Sequence, residues 1–271
     1  MSIILNKYRA KQIVEGGGVT VNRVFGNNET KEFDPFLMLD YFSEDKSREL
    51  PGFPWHPHKG METITYLLKG LGEHEDSIGN KGVIHAGELQ WMSAGKGIMH
   101  QEMLKTDKDG IQGFQFWINL KSTEKLKEPE YQYIKSGEME QFVDSGKIVN
   151  IISGEYKGHT GPIDKSEKGV TLIHVILEKN EEIELLRNEN KQGYIFVFEG
   201  NGLVDGKETD KMTAYTLAEG QFRVMANEKM QFIFAEGTPL NEPIAWYGPV
   251  VMNTKDELIE AFNDIETNNF V

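Results

Sequence analysis

The 271-residue sequence contains no cysteine. Disulfides, thiolate nucleophiles and thiolate metal sites are therefore excluded, and a reducing compartment suits such a chain. It has no long hydrophobic run either. The apolar stretches are strand-length, and the four-residue patch in MSIILNKYRAKQ is too short for a signal core or a membrane span. No cluster of basic residues interrupts an acidic chain: 29 Lys and Arg stand against 43 Asp and Glu, a net charge of −14. Phosphate-driven binding to nucleic acid and attraction to an anionic membrane are disfavoured. A cytoplasmic protein that makes no direct nucleic-acid or membrane contact is expected.

What the chain has in plenty is glycine, 28 residues, placed between short runs of alternating or continuous apolar residues. VTVNRVF, FLMLDYF, METITYLLKG, VIHAGELQWMSAG, KGIMHQEML and GIQGFQFWINL follow one another at intervals of about ten residues. This pattern specifies an all-β sandwich or barrel. The polar stretch 121–147 reads as a connector. Beyond it the texture returns in IVNIISG, TLIHVILE, GYIFVFEG, TAYTLAEG, FRVMA and MQFIFAEG. METITYLLKG resembles QGYIFVFEG, and HAGELQWMSA resembles LAEGQFRVMA. Anchoring on Gly70 with Gly200, and on Gly87 with Gly220, sets His56 and His58 opposite Leu186 and Asn188, and His100 and Glu102 opposite Ile233 and Ala235. Only the first half then carries ligands. The boundaries read as 1–130 for a metal-bearing domain and 131–271 for one without ligands. Near the C-terminus, Thr254 to Glu257 is a capping-box pattern. Apolar residues at helical spacing after it predict one amphipathic helix over 255–267 that ends the second domain.

Three of the seven histidines fall in two short segments, GFPWHPHKGME (52–62) and GELQWMSAGKGIMHQE (87–102). In a strand, residues i and i+2 share a face. His56 with His58, and His100 with Glu102, are thus two same-face pairs of metal-ligating side chains. Two such strands brought together would converge three imidazoles and a carboxylate on one divalent ion. Pro57 cannot donate to a ladder, which puts this strand at an edge or opening. Three imidazoles and a carboxylate leave coordination positions open, and the donor set suits iron(II) first, with Mn, Ni, Cu or Zn as alternatives. Glu62 competes for the fourth position, because it shares parity with His58 if no bulge at Gly60 intervenes.

The runs HPHKGMETITYLLKG, GELQWMSAGKGIMHQE, INLKSTEKLKEPEYQ, ISGE and EPIAWYGPVVMNT together resemble the pirin family. The resemblance implies two tandem cupin β-barrels, jelly-roll-like and facing each other, with iron in the N-terminal barrel alone. It implies the ligands His56, His58, His100 and Glu102. Glu62 and His74 are then left as candidates to orient a ligating imidazole, and Phe53, Trp91 and Met92 as candidates for a substrate pocket. It further implies a dioxygenase that oxidises quercetin-like flavonols, small planar aromatic substrates, with O2; for such a reaction the site chemistry makes Glu102 the expected acceptor of the flavonol proton. The alternative it implies is a metal- or redox-responsive regulator acting through a protein partner.

Overall fold

A computed structural model describes residues 3–45, 50–163, 169–267 and 269–270. Strands dominate, as the alternation and glycine turns require. The chain divides into two compact units, and their boundaries are not those of a single cut near residue 130. One consists of Met1–Lys11, Asn28–Pro35 and Gly137–Pro239, the other of Gln12–Asn27, Phe36–Ser136 and Leu240–Val271. No described helix is long and apolar enough to cross a membrane.

The unit that carries His56, His58 and His100 is a pair of antiparallel sheets. The seven-stranded sheet runs, edge to edge, through Glu130–Ile134, Leu89–Ser93, Met61–Lys69, Ile111–Asn119, Phe36–Glu44, Val19–Phe25 and Lys11–Glu15. The four-stranded sheet runs through Phe53–His58, Ile98–Lys105, Leu71–Asp76 and Lys81–His85. Val19, Val21, Phe42, Leu67, Ile84, Leu104 and Ile111 form one core cluster of this unit. The apolar run at 36–42 is the buried strand that its composition requires. Part of the supposed connector is also sheet, since Glu130–Ile134 pairs along Leu89–Ser93.

Gly60 decides the parity of Glu62. It adopts φ +77°, and a Cβ there would lie 2.0 Å from the carbonyl oxygen of Val251. The chain leaves the four-stranded sheet at His58 and enters the seven-stranded sheet at Met61. Glu62 therefore does not continue the face of His58.

The second unit has the same strand order except at one edge of the large sheet, where the chain's first strand takes the place that Glu130–Ile134 holds in the other unit. Its large sheet runs through Ile4–Arg9, Thr213–Leu217, Gln192–Glu199, Met230–Gly237, Thr171–Leu177, Lys147–Ser153 and Glu140–Asp144; its small sheet runs through Glu182–Arg187, Gly220–Ala226, Gly202–Val204 and Lys207–Glu208. This correspondence corrects the repeat alignment in its second half. Gly220–Ala226 occupies the place of Ile98–Lys105, not that of Leu89–Ser93, so Ile233 and Ala235 are not the counterparts of His100 and Glu102. In the strands that match the two ligand strands, Ile183, Leu185, Phe222 and Val224 are buried in one hydrocarbon core.

The C-terminal helix spans Lys255–Glu266 with both capping-box hydrogen bonds formed at Thr254 and Glu257. Leu258, Ala261, Phe262 and Ile265 pack on Val250 and Met252, while Ile259 is exposed. Contrary to the expectation from chain order, the helix belongs to the histidine-bearing unit.

Candidate metal centre

The strand Phe53–His58 pairs antiparallel with Ile98–Lys105. His58 lies opposite Ile98 and His56 opposite His100; an irregularity then sets Glu102 opposite Phe53. Ring centroids are 4.3 Å apart for His56 and His100, and 4.9 Å apart for His58 with each of the other two rings. One ligating nitrogen from each ring lies within 4.8 Å of the others.

The hydrogen bonds fix how these rings present their lone pairs. His56 Nδ1 is 2.7 Å from the Pro54 carbonyl, and His58 Nδ1 is 3.3 Å from that of Pro249. A carbonyl only accepts, so each Nδ1 carries the proton and each Nε2 presents a lone pair. Those two Nε2 atoms are 3.1 Å apart. Both ring nitrogens of His100 are buried with no hydrogen-bond partner among the described residues. Lone pairs converging at this distance repel unless a cation lies among them. Burial, reinforced by neighbouring imidazoles, holds His58 and His100 well below the usual histidine range. They stay neutral, the form that ligates. Donor type, tautomers and orphaned nitrogens together fit a single metal ion.

Glu102 lies deep beside this group, 4% exposed, but its carboxylate is not among the converging ligand atoms. It accepts from Thr65 Oγ1 at 2.9 Å, from Gln90 Nε2 at 2.5 Å and from Gln115 Nε2 at 2.9 Å. Gln90 and Gln115 carried no ligand signal in the sequence; strand pairing sets both beside Thr65 in the seven-stranded sheet, and Glu102 reaches them from the four-stranded sheet.

A cavity of about 600 Å³ opens beside the rings. Phe53, Trp55, His56, His58, Gln115, Trp117, Trp246 and Tyr247 line it, together with Glu15, Arg23, Asn27, Met38 and Asp40. Trp91 and Met92 do not line the cavity. Both are buried on Leu89–Ser93, and Met92 packs into a core with Leu37, Met61 and Ile98. Arg23 donates through Nε and Nη2 to Asp40, at 2.9 and 2.7 Å, and its Nη1 is 2.9 Å from Glu15. Burial works against the guanidinium's charge, but the two carboxylates outweigh it and raise its pKa. Burial pushes Asp40 up from the ordinary carboxylate value, and Arg23 pulls against that.

Comparison with known proteins decides the family. The family described as Pirin matches residues 18–118, and the Pirin C-terminal cupin domain matches residues 172–271. A pirin-like protein of Caulobacter vibrioides is 36% identical over 98% of both chains, and human pirin is 34% identical over 92% of this chain and 87% of its own. The chain belongs to the pirin family. Among solved structures it is similar to a quercetin 2,3-dioxygenase from Acinetobacter baumannii, with TM-score 0.92 and 32% identity over 100% of this chain and 98% of that one. The two β units are accordingly cupin domains.

Other features of this pirin-family centre were less legible. His74 is not a surface residue: it is 2% exposed, stacks on Tyr131 at 4.6 Å and lies 5.4 Å from the His100 ring. Its Nε2 is 3.1 Å from Asp76 Oδ2, and Asp76 also accepts from Ile78 and Asn80. Glu62 is 1% exposed and in register with Ser93 and Ile118; it is not part of the imidazole group. The tail segment supplies Pro249, Trp246 and Tyr247 to the site. Its signal, EPIAWYGPVV, was visible but lies far along the chain from the histidines.

Proposed function

We propose that this chain is a mononuclear iron(II) dioxygenase that oxidises quercetin-like flavonols with O2. The observation that carries the reading is the adjacency of the imidazole group to an aromatic-walled cavity. His56 and His58 belong to both. A closed structural site would not open on such a cavity. The relationship to the Acinetobacter baumannii quercetin 2,3-dioxygenase adds support.

In this reading His56, His58 and His100 would hold the metal, with Glu102 as the fourth ligand, and the metal would supply a redox-active Lewis acid for the flavonol and O2. The residues of the chain do the rest. Trp55, Trp117 and Trp246 offer flat faces to a planar substrate and exclude water around it. His58 and His100, kept neutral by burial, take no proton from the substrate. Glu102, whose carboxylate Gln90 and Gln115 orient, would accept the flavonol hydroxyl proton.

Anaerobic loading with iron(II), followed by O2-uptake measurement with quercetin, tests the proposal. One iron per chain with O2 consumption stoichiometric with flavonol loss is expected. Full iron loading with no uptake across a panel of flavonols would overturn it.

A further inference from the structure

The cavity has a second chemically distinct end. Gln115, which donates to Glu102, is the register partner of Asp40 on the next strand, and Asp40 is the register partner of Arg23 on the one after. Register partners share a face, and all three residues line the cavity. At the usual spacing of about 4.8 Å per strand, Arg23 lies roughly 10 Å across the sheet from Gln115. A row of side chains therefore leads from the metal ligands to an Arg23–Asp40–Glu15 cluster.

That cluster carries two carboxylates and one guanidinium, a net charge of −1. Three N–H groups of Arg23 are already engaged by Asp40 and Glu15. Each carboxylate oxygen keeps at least one lone pair beyond those the guanidinium occupies. The cluster thus presents hydrogen-bond acceptors and a negative field to whatever fills the cavity, and its arginine is shielded from anions.

We propose that Glu15, Asp40 and Arg23 form the specificity end of the cavity, selecting planar aromatics whose far ring carries a neutral donor hydroxyl and rejecting those whose far ring carries an anion. This rests on the flavonol reading above and adds the recognition of the ring remote from the metal. The hydroxyl donates to Asp40 or Glu15, while the other end of the molecule lies against His56 and His58. A carboxylate in that place meets two like charges, of which Asp40 is buried.

Binding to the anaerobic, metal-loaded full chain, measured by calorimetry, tests this with three probes. They are kaempferol, which has a single hydroxyl on the far ring; galangin, which has none; and the flavonol with a carboxylate in place of that hydroxyl. One hydroxyl cannot chelate, so the preference reports the far end and not the metal. Kaempferol is expected to bind about ten-fold more tightly than galangin, and the carboxylate probe most weakly. Glu15→Gln, a change at a partly exposed side chain, should narrow both gaps. The pair Glu15→Gln with Asp40→Asn turns the net charge from −1 to +1, and the carboxylate probe should then become the tightest of the three. Circular dichroism and metal content check that each variant is folded and loaded. Equal binding of all three probes, or affinity gaps that Glu15→Gln leaves at their wild-type size, overturns this inference while leaving the flavonol reading standing. Failure of every flavonol to bind the loaded chain overturns that reading, and this inference with it.

Discussion

His58 donates from Nδ1 to the carbonyl oxygen of Pro249, 191 residues further along the chain. One ring of the metal group is thus oriented by the C-terminal tail. The tail is held there by Val251 N donating to Lys59 O at 3.0 Å. Lys125 reinforces it: its ammonium donates to Gly60 O, Asn119 Oδ1 and Val251 O at 2.6, 2.6 and 3.0 Å.

Lys125→Met should therefore weaken metal binding without touching a ligand. It leaves buried carbonyls on both sides of the His58 segment without their donor, which costs about 2–4 kcal/mol of stability. Loosening an orienting contact behind a ligating histidine weakens metal affinity about 10–100-fold. Urea unfolding and metal competition titrations measure the two effects. Unchanged affinity in a folded variant would show that the tail does not set the His58 ring.

Gly60→Ala tests the same junction from the backbone. The left-handed conformation and the carbonyl of Val251 both oppose a side chain there. A loss of about 2–4 kcal/mol is expected, and the tail should become sensitive to limited proteolysis before the barrel does.

Glu102→Gln separates two roles. Its Thr65, Gln90 and Gln115 partners all donate, and an amide turns at least one N–H against them. Metal should still bind through the three imidazoles, more weakly, and flavonol turnover should fall by a factor of about 100 or more. Turnover near the wild-type rate with metal fully bound removes Glu102 from the proton-transfer step.

The second cupin domain should be acid-labile through His174. Burial lowers its pKa from 6.5 to about 4, although Gln231 favours the charged form. Asn150 Nδ2 donates to its Nδ1 at 3.2 Å, and its Nε2–H donates to Gln231 Oε1 at 3.0 Å, so the neutral ring is fully engaged. The unfolded chain takes up this proton at a higher pH than the folded one does. The stability that the neutral ring contributes is present above pH 6.5 and is lost as pH falls toward about 4. The loss amounts to about 3 kcal/mol. Urea melts between those pH values should show this slope, and His174→Gln should flatten it.

The sequence by itself determined the local content of this protein. Period-two apolar runs closed by glycine gave strands, the Thr254–Glu257 box gave the helix start, and i, i+2 spacing gave two same-face ligand pairs, because each depends only on backbone geometry within a few residues. Tertiary structure decided which partners those faces meet. Gly60 takes Glu62 out of the His58 strand by ending that strand against the tail. The facing of the two sheets brings Gln90 and Gln115 to Glu102, and strand pairing brings Asp40 to Arg23. Met92 goes to the core while Trp246 comes to the cavity. The helix joins the histidine-bearing unit in spite of its place in the chain. Such contacts join residues tens to hundreds of positions apart, and which of them form is settled by how the sheets bury their apolar faces, a property that no local stretch of sequence carries.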